Sequence, residues 1–488
     1  MLLLFALTLA VGAYHLGAKS LWNDELVSVG VARRDLAGLL HVVSTGEAQM
    51  ALYYLLLHWW IALVGQSEAA VRALSVLAGA GAIVLAYALA RRLLGSRPAF
   101  VCAGLLALHA FFVLNAQEAR AYTLLLLLTT ASSLLFLRAL ELPTALRWAV
   151  YALVSTLALY AHLFAIWTIA AHACVLALGV SRPTPRMRGF VTFTAILALS
   201  LPLLRWMAVA QPDAYAWIGP PDWNAAQTFA RDFGAFGGAP FGLLLIGLAA
   251  AFVLRGRPTP PSGSPRLQWT KTFLVVWVTV VVAGPLAASF LVRPMFVSRY
   301  VISALLPFLL LATGGLAMIR PAWLRAAVLI VMLGVLGRSL HFFVYRASPR
   351  ENWRDGIALL LEHAKPGDGV VFRRSHNRLA FDFYGPGADA RHGLEPVFPD
   401  TPWNGVSLVS GQQADAGDWL QNHTVVQLRV WTIERWYESA STGELRWLPP
   451  SFRRRYCESQ RHHVLRVRIV LHQRCEPLER GHSGPLNR

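Results

Sequence analysis

The chain has 488 residues, of which 56% are hydrophobic and 14% charged, and its mean hydropathy is +0.48. Soluble chains carry about 25% charged residues, so a water-soluble enzyme, a disordered protein and a secreted disulfide scaffold are excluded. What remains is a polytopic helical membrane protein with room for one soluble domain.

The net charge of +18 does not mark a nucleic-acid binder. Residues 346–488 hold 20 Lys/Arg against 16 Asp/Glu, whereas residues 1–345 hold 24 against 10. The excess in the first part is spread over short loops between apolar runs, which is a topology signal. No nucleic-acid partner is expected.

In chain order, the apolar runs predict about eleven spans. They lie near 1–17, 69–90, 98–115, 121–138, 147–160, 162–180, 189–209, 238–254, 272–291, 301–319 and 326–344. The first lacks a basic n-region and a small-residue cleavage pattern, so it reads as a span and not a signal peptide. The run 147–180 is too long for one crossing at about 1.5 Å per residue and is split at Tyr160-Ala161-His162. The stretch Ala51–Val64 is apolar but short, and counting it as a span would reverse every later loop. It is expected to be a helix in or on the membrane surface.

With the N-terminus inside, the inner loops hold 14 basic residues against one acid, Glu141, and the outer loops seven against nine. That balance places the inner side in the cytoplasm and the region after 345 outside. The expected location is the inner (cytoplasmic) membrane, with membrane lipids as surroundings. The loop 255–271 reads as a Pro/Gly/Ser linker.

Residues 346–488 read as a small α/β domain. Ser348-Pro349-Arg350-Glu351 signals a helix start, and Lys365-Pro366-Gly367 a stop. Val370-Val371-Phe372, Val425–Trp431 and Val464–Leu471 read as strands. Cys457 and Cys475 flank the last of these on the side where a disulfide is permitted; spacing alone leaves the bridge open. The expected division is a transmembrane domain, 1–345, carrying an outer loop 18–68, and an outer domain, 346–488.

The outer loop 18–68 carries Trp22-Asn23-Asp24-Glu25 shortly after a span. Adjacent acids on a loop are commonly plain solvation, but carboxylates held beside an apolar, aromatic platform can act as general bases. Glu118, Arg120 and Tyr122 are pinned in the next short outer loop, and Arg299 and Tyr300 in a later one. Singly, each cation reads as a snorkelling residue; together they suit a lipid phosphate. Arg72 and Arg205 are further cations near span ends.

The order of these segments resembles the GT-C superfamily of polyprenol-phosphate-sugar-dependent glycosyltransferases, the protein-mannosyltransferase-like bacterial group. The resemblance rests on Trp22-Asn23-Asp24-Glu25, then Leu52-Tyr53-Tyr54-Leu55-Leu56-Leu57-His58-Trp59-Trp60, then a span with Arg72. Glu118-Ala119-Arg120-Ala121-Tyr122 and Ser298-Arg299-Tyr300 follow. One stretch departs from the pattern: Glu47-Ala48-Gln49-Met50-Ala51 stands where the group usually has His-Pro-Pro or Lys-Pro-Pro.

The resemblance implies an integral-membrane inverting glycosyltransferase. It would move a sugar from a polyprenyl-phosphate donor to an acceptor glycan, lipid or protein. Asp24 would be the base, Glu25 would orient the loop or the acceptor, and Arg120, Arg299 and Tyr300 would bind the donor phosphate. Glu118, Tyr122, Tyr53, Tyr54 and His162 would line the pocket. The acids could hold a divalent cation, which nothing in the sequence requires. The alternatives are a lipid or sugar transporter or flippase, which would place ionisable residues at the bilayer midplane, and an inactive protein of the same fold.

Overall fold

A computed structural model describes residues 1–179, 186–209, 218–255, 265–387, 392–400, 415–435 and 445–475. Most of the linker expected at 255–271 and part of the C-terminal region lie outside these residues. The chain divides into two compact units. Met1–Lys19 and Ser28–Ser348 form the first; Ser20–Val27 and Pro349–Arg488 form the second.

The first unit is helical: α1 (Leu2–Ala13), α2 (Asn23–Ala32, which begins in the second unit), α3 (Leu36–Thr45), α4 (Ala51–Val64), α5 (Glu68–Leu94), α6 (Ser96–Ala107), α7 (Ala110–Ala116) and α8 (Tyr122–Glu141). Then come α9 (Ala145–Ala161), α10 (Ala165–Ala177), α11 (Arg186–Val209), α12 (Trp223–Phe233), α13 (Gly238–Leu254), α14 (Pro265–Leu291), α15 (Leu305–Ala317) and α16 (Ala322–Ser339). Among the described residues six helices are long and apolar enough to cross a membrane, or eight if each of two bent pairs is one span. The remaining three expected crossings fall on the shorter apolar helices α1, α9 and α10. The chain is a multi-pass membrane protein.

Helix ends follow their local chemistry. Ser67 Oγ accepts from the Ala70 amide at the start of α5, while Arg91 and Arg92 occupy its last turn and Gly95 closes it at φ +88°. Asp35 caps α3 and Thr144 caps α9 in the same way. The break expected at Tyr160-Ala161-His162 is present: α9 stops at Ala161, and His162 is extended.

Large apolar side chains remain exposed on several helices, such as Leu243, Ile246 and Leu254 on α13 and Ile330 and Val331 on α16. In water such a surface would drive aggregation; in lipid it is the outer wall. With no hydrophobic drive between helices in lipid, close packing of small residues does the work. A Cβ at Gly315 of α15 would stand 1.9 Å from the Leu248 carbonyl oxygen of α13, and one at Gly314 2.7 Å from the Phe252 ring.

The second unit is α/β: α17 (Trp353–His363), β1 (Gly369–Phe372), α18 (Arg378–Tyr384), β2 (Glu395–Phe398), α19 (Ala416–Asn422), β3 (Arg429–Arg435), α20 (Pro450–Arg455), β4 (Tyr456–Val464) and β5 (Val467–Arg474). The strand order is β2-β1-β3-β5-β4. β1 is parallel to β2 and to β3, and β5 is antiparallel to β3 and β4. The strand expected at Val425–Trp431 begins later, at Arg429, and the region near Val464–Leu471 is a hairpin of two strands. Cys457 and Cys475 are bridged, with Cα atoms 5.1 Å apart. Val371, Val430, Val470, Leu420 and Leu448 fill the core. Asp368 accepts from Trp431 Nε1 (2.8 Å) and pairs with Arg429 (2.8 Å).

Gly315→Val should disrupt the α13–α15 contact, because a backbone carbonyl cannot yield as a side chain can. The expected cost is at the upper end of the ~1–3 kcal/mol for overpacking or beyond it. It should appear as a lowered melting temperature in detergent, and Gly315→Ala should be milder than Gly315→Val; equal stability of all three proteins would refute the close approach.

Candidate active site

The first unit gathers cations around one aromatic ring. The chain between α7 and α8 is a tight turn in which the Arg120 amide donates to the Glu118 carbonyl at 2.7 Å. Arg120 is 5% exposed, and its Nη1 donates to Ser28 Oγ at 3.2 Å. Its guanidinium carbon lies 5.9 Å from the centre of the Tyr122 ring. Arg299, in the 3₁₀ turn Ser298–Ala304, also lies 5.9 Å from that ring and 5.6 Å from the Tyr300 ring. A π-face attracts a cation by its negative quadrupole, so one ring supports two guanidinium groups that would otherwise repel. The His162 ring is 5.2 Å from Tyr300 and 5.9 Å from Tyr122. Tyr122 is fully buried, yet its hydroxyl has no hydrogen-bond partner among the described residues.

The other expected pocket residues are scaffolding around this cluster. Tyr53 Oη meets Ser75 Oγ at 2.9 Å, and that serine donates to the Arg120 carbonyl at 3.1 Å. Tyr54 donates to Glu47 at 2.9 Å, so the acid in the departing segment holds an aromatic of α4. Glu118 is buried in the same turn as Arg120. Arg72 is also buried, but it donates to the carbonyls of Leu16 (2.9 Å) and Lys19 (2.8 Å), tying down the segment after α1. Arg205 lines a groove of about 790 Å³ with Ser44, Leu201, Pro202, Leu204 and Trp206.

Sequence reasoning missed Asp232 and Ser28. Asp232 ends α12, and its carboxylate accepts from Ser298 Oγ at 2.5 Å, fixing the turn that carries Arg299. The Phe233-Gly234 step after Asp232 was a legible helix end; the partner far along the chain was not.

The second unit holds the adjacent pair Asp24 and Glu25. Asp24 and Glu25 occupy the first turn of α2. Glu25 is fully buried and accepts from the Trp22 amide at 3.2 Å, the carboxylate half of a capping box. Asp24 is half-buried. Beside it, Glu351 is fully buried and accepts from the Asn23 amide (3.0 Å) and Trp353 Nε1 (2.6 Å), and pairs with Arg435 (2.5 Å). Burial raises the Glu351 carboxyl above the usual range and Asp24 adds to the rise, against Arg435, Trp353 and the Asn23 amide. Among the described residues no group of three or more His, Cys, Asp or Glu is arranged to hold a metal ion.

Compared with known proteins, residues 50–206 match the family described as dolichyl-phosphate-mannose-protein mannosyltransferase. No curated protein matches at a significant level. Among solved structures the chain is similar to ArnT from Cupriavidus metallidurans in the apo state, at 14% identity and a TM-score of 0.59, over 96% of this chain and 97% of that one. It is also similar to the same protein bound to undecaprenyl phosphate, at 13% identity and a TM-score of 0.58 over the same shares. The chain has the GT-C fold of these structures, and residues 50–206 carry the segment that the family model matches.

Two buried histidines give the second unit a pH dependence. Burial pushes the His376 imidazole down to about 4, helped by Arg374 and Arg435 and opposed by Asp24. Burial likewise pushes His472, which meets Thr432 Oγ1 at 2.9 Å, down to about 4. Both are neutral in the folded unit at pH 7. As pH falls from about 6.5 to about 4, the unfolded chain takes up protons that the folded unit does not. Their contribution is therefore lost on acidification, by up to about 1.4 kcal/mol per pH unit for each histidine. Melting followed by tryptophan fluorescence should show this between pH 7 and 4, with a shallower slope for His376→Asn; identical slopes would refute the assignment.

Proposed function

We propose that the chain is an inverting glycosyltransferase using a polyprenyl-phosphate sugar, acting at the outer face of the inner (cytoplasmic) membrane. The observation that carries the reading is the pair of guanidinium groups, Arg120 and Arg299, over the one buried Tyr122 ring, whose hydroxyl has no hydrogen-bond partner among the described residues. Guanidinium forks match phosphate geometry and stay charged at any pH. The family match and the solved neighbour that carries undecaprenyl phosphate support a lipid-phosphate donor.

In the reaction an acceptor O–H or N–H gives its proton to Asp24. The acceptor's lone pair attacks the anomeric carbon from the face opposite the phosphate. The bond from that carbon to the phosphate oxygen breaks, and its electron pair leaves with the lipid phosphate. Arg120 and Arg299 neutralise that charge, with Tyr300 beside them. Tyr122 Oη donates to a phosphate oxygen. Glu118, His162, Tyr53 and Tyr54 shape and brace the pocket. Glu25 positions Asp24 by fixing the start of α2.

With undecaprenyl-phosphate sugars in lipid nanodiscs, Asp24→Asn should lower kcat by ~10²–10⁴-fold, the usual worth of a general base, while undecaprenyl phosphate still binds. Arg120→Ala with Arg299→Ala should weaken that binding at least ~10-fold, since each charge-assisted bond is strong. Near-normal turnover in the first variant, or unaltered lipid-phosphate affinity in the second, would remove those residues from the mechanism.

The charge asymmetry of the loops supports an N-terminus inside and residues 349–488 outside. In a Cys102→Ala, Cys174→Ala background, a cysteine at Glu395 should react with an impermeant maleimide on intact cells, and one at Ser96 should react only after lysis. The reverse pattern would invert the topology.

A further inference from the structure

The sheet of the second unit contains a reversal. β1 and β3 lie side by side and parallel. From the carboxyl end of β1 the chain runs to the edge strand β2, and from that of β3 it runs to β4 and β5 on the other side. In open sheets such a reversal opens a crevice at the carboxyl ends of the parallel strands, and ligands bind there. The Arg373 amide donates to the Ile433 carbonyl at 2.9 Å, holding the two strand ends together.

The turn Ser375–Asn377 follows β1 at this point. It is polar, yet Ser375 and Asn377 are each 2% exposed and His376 9%. Ser375 Oγ, His376 Nδ1, and both Asn377 Oδ1 and Nδ2 have no hydrogen-bond partner among the described residues. Native proteins leave few buried polar atoms unpaired, and each asks for a ligand or an ordered water. Four on three consecutive residues make a built site.

The charges around the turn are already matched. Arg374 faces Asp415 at 3.5 Å, Arg373 pairs with Glu434 at 2.9 Å, and Arg435 pairs with Glu351 at 2.5 Å. The turn itself offers a hydroxyl, a neutral imidazole and a carboxamide. Such groups donate and accept in equal measure, which suits sugar hydroxyls and neither an anion nor an ammonium group. Asp24 is close enough for its charge to act on His376.

We propose that this crevice is the acceptor subsite and that Ser375, His376 and Asn377 bind the hydroxyl face of a neutral saccharide. The acceptor would then be a glycan and not a protein amine. The word acceptor rests on the transfer reading above, with Asp24 as base; the saccharide site does not.

The test is saturation-transfer NMR on the full chain in nanodiscs. The probes are the methyl glycosides of glucose, galactose, mannose and N-acetylglucosamine at millimolar concentration, with phosphoethanolamine as the charged control. At least one glycoside should receive saturation. Asn377→Ala and the milder Asn377→Ser, checked for an unchanged melting temperature, should abolish the signal, and Asp24→Asn should keep it even if transfer itself proves absent. No signal from any glycoside, a signal that survives both Asn377 variants, or displacement by phosphoethanolamine would overturn the saccharide site and leave water as the occupant. Where transfer is measured, Asn377→Ser should raise KM for the acceptor at least tenfold and leave KM for the lipid donor within twofold. A rise in the donor KM alone would move the site to the donor sugar and overturn the acceptor assignment.

Discussion

The bilayer sets the terms for every charged group in the first unit. A guanidinium taken out of water without compensation costs several kcal/mol, so each buried arginine must be held by oxygens or aromatic faces. Arg72 meets this with two carbonyls and becomes part of the frame. Arg120 donates to a serine hydroxyl and lies over a tyrosine face. A π-face is a weaker partner than a carboxylate. A face of this kind supports a guanidinium without using any of its N–H donors.

The frame that holds Arg120 reaches back to residues with no charge at all. Tyr53 of α4 meets Ser75 of α5, and Ser75 donates to the Arg120 carbonyl. Thr123 donates in turn to the Ser75 carbonyl at 2.7 Å. Three helices are thus stitched at the point where the cation emerges, each bond shielded from competing water. Asp232 does the same for the turn before Arg299 through Ser298. The two guanidinium groups come from positions 179 residues apart, and each is fixed by its own buried polar contact.

The helical part of the fold was legible because hydropathy reports directly on lipid burial: all eleven expected crossings lie on apolar helices or helix pairs. The split at Ala161 was legible from length alone. Within the candidate site, the residue types were legible and their hydrogen-bond partners were not. Tyr53 and Tyr54 read as pocket lining, and nothing local announced that their hydroxyls meet Ser75 and Glu47. Glu47, where the group usually has a ring or a base, had no evident purpose until its bond to Tyr54 was seen. Glu351 read only as part of a helix start, because nothing local in a sequence announces a partner at Asn23. The hairpin of β4 and β5 was compressed into one strand because its turn, Leu465-Arg466, carries no glycine; Arg466 itself takes φ +60°.

The three acids near the start of α2 differ in what they can still do, and that difference singles out Asp24. Glu25 is fully buried with its oxygen on the Trp22 amide, so its charge is spent on the helix end, where the dipole favours it. Glu351 is buried beneath an amide, an indole and a guanidinium. A proton taken there would have to displace those donors. Asp24 is the half-buried one. It lies in the same helix turn as Glu25, and its charge adds to the rise of the Glu351 carboxyl. A general base needs both access to the reacting proton and a reason to take it. Burial denies the first to Glu25 and Glu351. Asp24 keeps it, which is why Asp24 is the proposed base while the two buried acids hold the start of α2 and Arg435.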